Sequence, residues 1–278
     1  MIVAGCGFLG GTAAGLFSGR GWDVLGLCAS EASAASLAGG AFQVRAMDIS
    51  ESPEFDPAWQ QVEVLVHCAS SGGGDARAYR QVYLHGLRNL LEAARPRHVI
   101  FVSSTSVYGQ QDGSWVDENS PAEPAVETGR VLREAEDLAI SAGGVVLRLA
   151  GIYGPGRSVL LKKYLSGSAV LERGGRRWIN QIHRDDAAAA VLLAASLASG
   201  VYNTCDDMPA TQRTVYGWIS RQLGGPLPPD GDAPRSRKRG NSDKRVSNFK
   251  LRKAGWRPVF SSYRTALPQL LADGSERL

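Results

Sequence analysis

The sequence predicts an α/β protein, a doubly wound parallel sheet followed by a smaller C-terminal α/β lobe. Three observations predict it. Short apolar runs alternate with amphipathic stretches through residues 1–150, a glycine-rich turn joins the first run to the first stretch, and the texture changes after Tyr153. In order, the strand candidates are "MIVAG" (1–5), "DVLGLC" (23–28), "FQVRAM" (42–47), "VEVLVHCA" (62–69), "HVIFVSS" (98–104) and "GVVLRLA" (144–150). Each has the length of a buried strand rather than of a helix. Helices are expected between them at 8–20, 31–38, 77–95 and 128–141. The third carries Tyr83, Leu87, Leu90, Leu91 and Ala94 at helical spacing, an apolar stripe suited to packing on a sheet. Strand–helix alternation implies parallel pairing with right-handed crossovers and helices on both faces.

Beyond Tyr153, "YGPGR" reads as a turn and "LERGGRRWINQ" as a hairpin-like piece. An Ala-rich helix follows over Arg184–Ser199, with Asp185 and Asp186 expected to cap it. "GVYNTC" (200–205) reads as another strand, and "ATQRTVYGWISRQLG" as an amphipathic helix capped by Thr211. The Pro-, Gly- and charge-rich "LPPDGDAPRSRKRGNSDKR" is expected to be a surface loop, and a last helix lies near 262–272.

A chain of 278 residues with 44% apolar and 21% charged residues can bury a sizeable core. Its net charge of +4 suits a small anionic ligand and argues only weakly for nucleic acid. The basic run "RSRKRGNSDKR" lacks the interleaved aromatics of a nucleic-acid surface, so no nucleic-acid partner is expected. Arg237, Lys238 and Arg239 within it read as a solvated loop or as a wall facing an anionic substrate. Cys6, Cys28, Cys68 and Cys205 are widely spaced, with no CxxC and no Cys/His cluster, which predicts buried reduced thiols, no metal site and a cytoplasmic setting. No leader-like opening and no membrane-length apolar run is found, so no membrane partner is expected.

"MIVAGCGFLGG" places Gly5, Gly7 and Gly10 in G-x-G-x-x-G spacing between a strand and a helix that open a strand–helix–strand unit. That context makes the pattern a dinucleotide fingerprint. Gly5 permits the tight turn, Gly7 lets the backbone with Phe8 and Leu9 approach a diphosphate, and Gly10 lets helix and strand pack closely. The N-terminus of the helix then faces the phosphates. A Rossmann-type domain over residues 1–152 follows, with 182–204 returning to it and 153–278 forming mostly a substrate lobe. At the end of the second strand, Cys28, Ala29 and Ser30 stand where an acidic residue would bind both ribose hydroxyls of NAD. Without that carboxylate a 2′-phosphate is tolerated and Ser30 can hydrogen-bond it, which favours NADP over NAD.

Several motifs together resemble the extended short-chain dehydrogenase/reductase family, the NAD(P)-dependent epimerase/dehydratase group. They are "GCGFLGG", "MDIS" (47–50), "HCAS" (67–70), "VSSTSVYG" (102–109), "LRLAGIYGPGR" (147–157), "INQIHRDDAAAA" (179–190), "GVYNTCDD" (200–207) and "KRVSNFKLRKAGW" (244–256). The resemblance implies that Asp48 and Ile49 contact the adenine, and that Cys68, Ala69 and Ser70 pass the diphosphate and ribose. It further places Ser103, Leu149 and Ile152 in the cofactor pocket, Ser104 on a substrate carbonyl or hydroxyl, and Arg157 and His183 on the substrate. The small-molecule substrate would be anionic or sugar-nucleotide-like, and a homodimer is a family expectation.

The family's Tyr-x-x-x-Lys acid/base pair should open the helix near residue 128. Ungapped alignment puts Thr128 at the tyrosine and Leu132 at the lysine, and neither side chain can perform that task. The chain therefore resembles the atypical branch of the superfamily that lacks the pair. Tyr108, four residues past Ser104, and Thr128 itself are the remaining candidates for proton transfer, with Ser104 holding the reacting oxygen. Two functions stay open: an oxidoreductase or epimerase that works without the usual pair, and a catalytically silent NAD(P)-binding protein.

Overall fold

A computed structural model describes residues 1–51, 53–232 and 242–272. Seven parallel strands form one sheet: β1 (Ile2–Ala4), β2 (Leu25–Cys28), β3 (Gln43–Ala46), β4 (Val64–His67), β5 (His98–Ser104), β6 (Val145–Leu149) and β7 (Gly200–Thr204). Their spatial order is β7-β6-β5-β4-β1-β2-β3. Chain direction across the sheet therefore reverses between β1 and β4, and it is outside such a switch point that open α/β sheets bind ligands.

The two faces of the sheet follow from side-chain alternation. Val3 packs with Ala13, Ala14 and Phe17 of α1 (Gly10–Ser18), while Ile2, Ala4, Leu25, Leu27 and Leu65 pack with Leu90 and Ala94 from the far side. The expected helix over 77–95 is a composite: α3 (Ala76–Tyr79), a π turn over Arg80–His85, and α4 (Gly86–Ala94). The amphipathic stripe extends through all three pieces, which is why the sequence reads as one helix. Helix α5 (Glu127–Ser141) packs against this composite, and α6 (Val159–Leu165) lies in the lobe. Helix α7 (Arg184–Ala194) packs on α1 and leads into β7, so the segment expected to return to the first domain supplies both a covering helix and an outer strand.

A second core joins Tyr153, Leu161, Leu171, Val215, Tyr216, Ile219, Tyr263 and Leu267. It holds α6 against α8 (Gln212–Leu223) and α9 (Tyr263–Ala272). Thr211 caps α8 by accepting from the Thr214 N–H at 3.2 Å, as its position predicts. The stretch read as a hairpin is not one. Leu171–Glu172 pairs in parallel with Asp230–Gly231, and Trp178–Ile179 pairs antiparallel with Ala210–Thr211, so each half finds its partner elsewhere in the chain. The cap of α7 is also corrected. His183 Nδ1 accepts from the Asp185 N–H at 3.3 Å, while the Asp186 carboxylate accepts from the N–H groups of Val259 (2.7 Å) and Phe260 (2.9 Å).

Most of the basic run, with Arg237, Lys238 and Arg239, lies outside the described residues. Lys244 at its end is buried, not solvated, and donates to the Tyr108 carbonyl at 3.1 Å and to Ser242 Oγ at 2.7 Å. The next residues, Arg245–Val246, pair with Trp115–Val116 and tie the C-terminal segment to the loop that follows β5. Among the described residues, no helix is long and apolar enough to cross a membrane.

Candidate functional site

A cleft of about 760 Å³ opens at the switch point, a volume typical of small-molecule sites, roughly 300–1,000 Å³. It runs from the glycine turn (Gly5, Gly7, Phe8, Leu9) past Cys28 and Ala29, Asp48 and Ile49, and Cys68, Ala69 and Ser70, to Ser103, Ser104, Leu149 and Ile152. Segments far apart in sequence are thus gathered at the C-terminal ends of β1, β2, β3, β4, β5 and β6.

The glycines divide the labour as their spacing predicts. Gly5 sits at φ +92°, and a Cβ there would lie 2.4 Å from the Ala69 backbone. A Cβ on Gly10 would lie 2.1 Å from the Gly5 carbonyl oxygen, so its role is packing, and it does not line the cleft. Gly7 lines the cleft, and a Cβ there would meet nothing within 4 Å. That open ground is a cradle into which a ligand can press against backbone. No side chain caps the start of α1; the Gly11 N–H donates to the Gly7 carbonyl at 2.9 Å, and the positive end of the helix dipole favours an anion at this turn. These features fit a dinucleotide diphosphate.

At the opposite end, Asp48 is the one carboxylate among the described residues of the wall, and it follows β3 rather than β2. Ser30 is outside the wall. Its hydroxyl accepts from the Ser33 N–H at 3.3 Å and donates to Ser33 Oγ at 3.0 Å, capping α2 (Glu31–Ala35), and Ser33 lines the cleft in its place. The thiols of Cys6, Cys28 and Cys68 also line it. Burial raises all three, Cys6 to about 12, so they serve as neutral wall groups.

Strand β5 extends past β4, and its last two residues pair only with β6, Ser103 beside Arg148 and Ser104 beside Leu149. Pleating separates the two hydroxyls. Ser103 Oγ donates to Glu136 Oε1 at 2.5 Å, in a buried network where Arg148 Nη2 reaches Glu136 Oε2 at 2.7 Å and Arg133 also pairs with Glu136. Ser104 Oγ accepts from the Ser106 N–H at 3.2 Å, which leaves its own O–H free to donate into the cleft.

Tyr108 is corrected from a proton-transfer candidate to a core residue. It is 0% exposed, and its hydroxyl accepts from Arg148 Nη1 at 2.9 Å and lies 2.9 Å from both Asn203 Oδ1 and the Asp117 carbonyl. Burial raises its phenol, opposite to what proton exchange near neutral pH requires. Tyr108→Phe should lower stability by about 1–3 kcal/mol by stranding these partners, with dinucleotide affinity unchanged. Urea unfolding beside a fluorescence titration checks this, and an affinity loss without a stability loss would return the phenol to the site.

Thr128 lies in the first turn of α5 and does not line the cleft, whereas Leu132 does. His183 is buried, edge-on to Tyr153 and 4.0 Å from the Phe260 ring, and it too is outside the cleft wall. Burial lowers its pKa. Arg157 does line the cleft, close to the glycine turn. Sequence reasoning missed Tyr79, Val82 and Tyr83, which the π turn brings into the wall; Tyr83 donates to Ser70 Oγ at 3.3 Å.

The description of the NAD dependent epimerase/dehydratase family matches residues 1–205. The chain belongs to that family. Protein YeeZ of Escherichia coli (strain K12) is 32% identical over 240 residues, covering 81% of this chain and 84% of YeeZ. A functionally unknown conserved protein from Silicibacter pomeroyi DSS superposes with a TM-score of 0.78 at 28% identity, over 98% of both chains. At 21% identity, where the likeness shows the fold alone, a dTDP-glucose 4,6-dehydratase from Streptomyces venezuelae, DesIV, superposes with a TM-score of 0.82 over 99% of this chain and 97% of its own. From α5, Leu132 brings an isobutyl group to the cleft.

Proposed function

We propose that this chain is an NAD(P)-dependent oxidoreductase or epimerase-like protein that acts on a hydroxyl or carbonyl of a small substrate without a Tyr-x-x-x-Lys pair. The observation that carries the reading is the continuity of one cleft from the glycine turn to Ser104. The turn and the start of α1 hold the diphosphate, Asp48 and Ile49 take the adenine end, and Leu149, Ala150, Ile152 and Leu132 form an apolar wall at the nicotinamide end. A bound pyridine dinucleotide supplies hydride exchange at its ring. Ser104 donates its free O–H to the oxygen of the reacting carbon, and solvent at the cleft mouth exchanges the proton. After β2 the cleft is lined by Cys28, Ala29 and Ser33 with no carboxylate among them, which favours NADP.

Loss of a tuned acid/base group typically lowers rates about 10²–10⁴-fold, so slow turnover is the expected behaviour. Titration with NADPH and NADH by nicotinamide fluorescence, followed by a carbonyl and hydroxyl screen at 340 nm, tests the reading. Ser104→Ala should abolish turnover and leave dinucleotide affinity within about twofold, because the residue touches the substrate end; unchanged turnover would remove its role. A second reading is favoured by Leu132, which lines the cleft where the lysine would sit: a dinucleotide-holding protein with no turnover. Tight binding with no turnover across the whole screen would select it.

A further inference from the structure

We propose that Arg157 clamps the dinucleotide's diphosphate from the side of the C-terminal lobe, with Phe8 as the platform that sets it there, and that Arg184, on the same ring but outside the cleft wall, adds to the positive potential. This rests on the dinucleotide reading above. Phe8 lies in the glycine turn itself, between Gly7 and Leu9, and it lines the cleft. Two guanidiniums converge on its ring: Arg157 Cζ is 5.2 Å and Arg184 Cζ 5.3 Å from the ring centre. They come from different elements. Arg157 closes the turn after Tyr153, where Gly154 and Arg157 exchange backbone hydrogen bonds of 2.9 and 3.0 Å, and Arg184 is the first residue of α7.

Glycine at position 154 is what permits this convergence. A Cβ there would lie 3.3 Å from the Phe8 ring and 3.1 Å from Arg184 Cβ. Charge is left unbalanced as a result. Arg184 Nε pairs with Asp185 Oδ1 at 2.8 Å. Arg157 has no carboxylate partner among the described residues, and it is the one cation in the described cleft wall. Arg157 therefore adds unpaired positive charge beside the positive end of the α1 dipole, and an anion seated on the glycine turn balances it. The diphosphate is the group of the dinucleotide that carries such charge at that place. Cation–π contact with Phe8 fixes the side chains before the ligand arrives.

The experiment compares wild type, Arg157→Gln and Arg184→Gln for binding of NADPH and NADH by fluorescence, and of ADP and adenosine by calorimetry, each at low and high salt. Arg157→Gln should weaken the dinucleotides and ADP about tenfold, the scale of one charge-assisted hydrogen bond, and Arg184→Gln by a smaller factor. Each should also flatten the salt dependence seen in wild type, and leave adenosine unchanged. Wild-type affinities in Arg157→Gln would overturn the clamp, as would a loss that extends equally to adenosine with a lowered melting temperature. Failure of wild type itself to bind either dinucleotide would instead bring down the underlying reading, and the clamp with it.

Discussion

Gly7→Ala should leave the melting temperature unchanged and weaken dinucleotide binding at least about tenfold, while Gly10→Ala should unfold the glycine turn. The two glycines differ in what a methyl group would meet. At Gly7 it would meet nothing within 4 Å and would project from a residue of the cleft wall, so the folded chain tolerates it and a ligand pressed against the backbone does not. The smaller unfolded-state entropy of alanine can even add a few tenths of a kcal/mol. At Gly10 the methyl carbon would stand 2.1 Å from the Gly5 carbonyl, and that oxygen belongs to a turn already held by N–H bonds from Gly5 (2.9 Å) and Cys6 (3.0 Å) to the Leu27 carbonyl. Relief requires moving α1 away from the sheet. Thermal melts and NADPH titration of both variants separate the effects. Undiminished binding in Gly7→Ala would show that the diphosphate does not sit on this turn.

Arg148→Met should destabilise the protein by about 3–5 kcal/mol, a large part of the roughly 5–15 kcal/mol that holds a domain folded. Arg148 is 3% exposed and Glu136 0% exposed. Their contacts include Arg148 Nη2 to Glu136 Oε2 at 2.7 Å and Arg148 Nε to Glu136 Oε1 at 3.1 Å. Removing the guanidinium leaves a buried carboxylate with only Arg133 and Ser103, and leaves the Tyr108 hydroxyl without its donor. The double change Arg148→Met with Glu136→Leu should recover most of the loss, because both charges then leave the interior together. Urea unfolding of the wild type, the two single variants and the double variant checks this; additive losses would show that the pair is not coupled.

Much of this architecture is readable from residue order. Most strands of the main sheet are short apolar runs, β3 (Gln43–Ala46) and the Asn203–Thr204 end of β7 being the polar exceptions, and the glycine spacing after β1 locates the cleft. The readable part stops where side-chain direction decides. Ser103 and Ser104 are adjacent in sequence, yet the pleat sends one to Glu136 and leaves the other's proton for the cleft. Tyr108 looks available on a strand-end loop, but Asn203 and Arg148, from strands far along the chain, enclose it. The π turn was invisible because its residues preserve a helical apolar stripe, so Tyr83 reads as a packing group rather than as cleft wall. One signal was present and unused. Arg148 interrupts the apolar run "VVLRLA" and so required a buried acidic partner, and Glu136 lies on the apolar side of α5.

The origin of β7 has a consequence for how the chain can be divided. Its residues come after the first part of the lobe, yet they complete the sheet beside β6, whose five residues are all buried. The lobe is thus built in two pieces, one threaded between β6 and β7 and one that follows β7, and both meet in the second core. A polypeptide stopped before residue 200 would leave Val145–Leu149 as a bare apolar margin, a surface on which unpaired backbone recruits other chains. Neither half can be grafted onto another scaffold by a single cut, and any shuffling of this lobe must carry all three of its joins together.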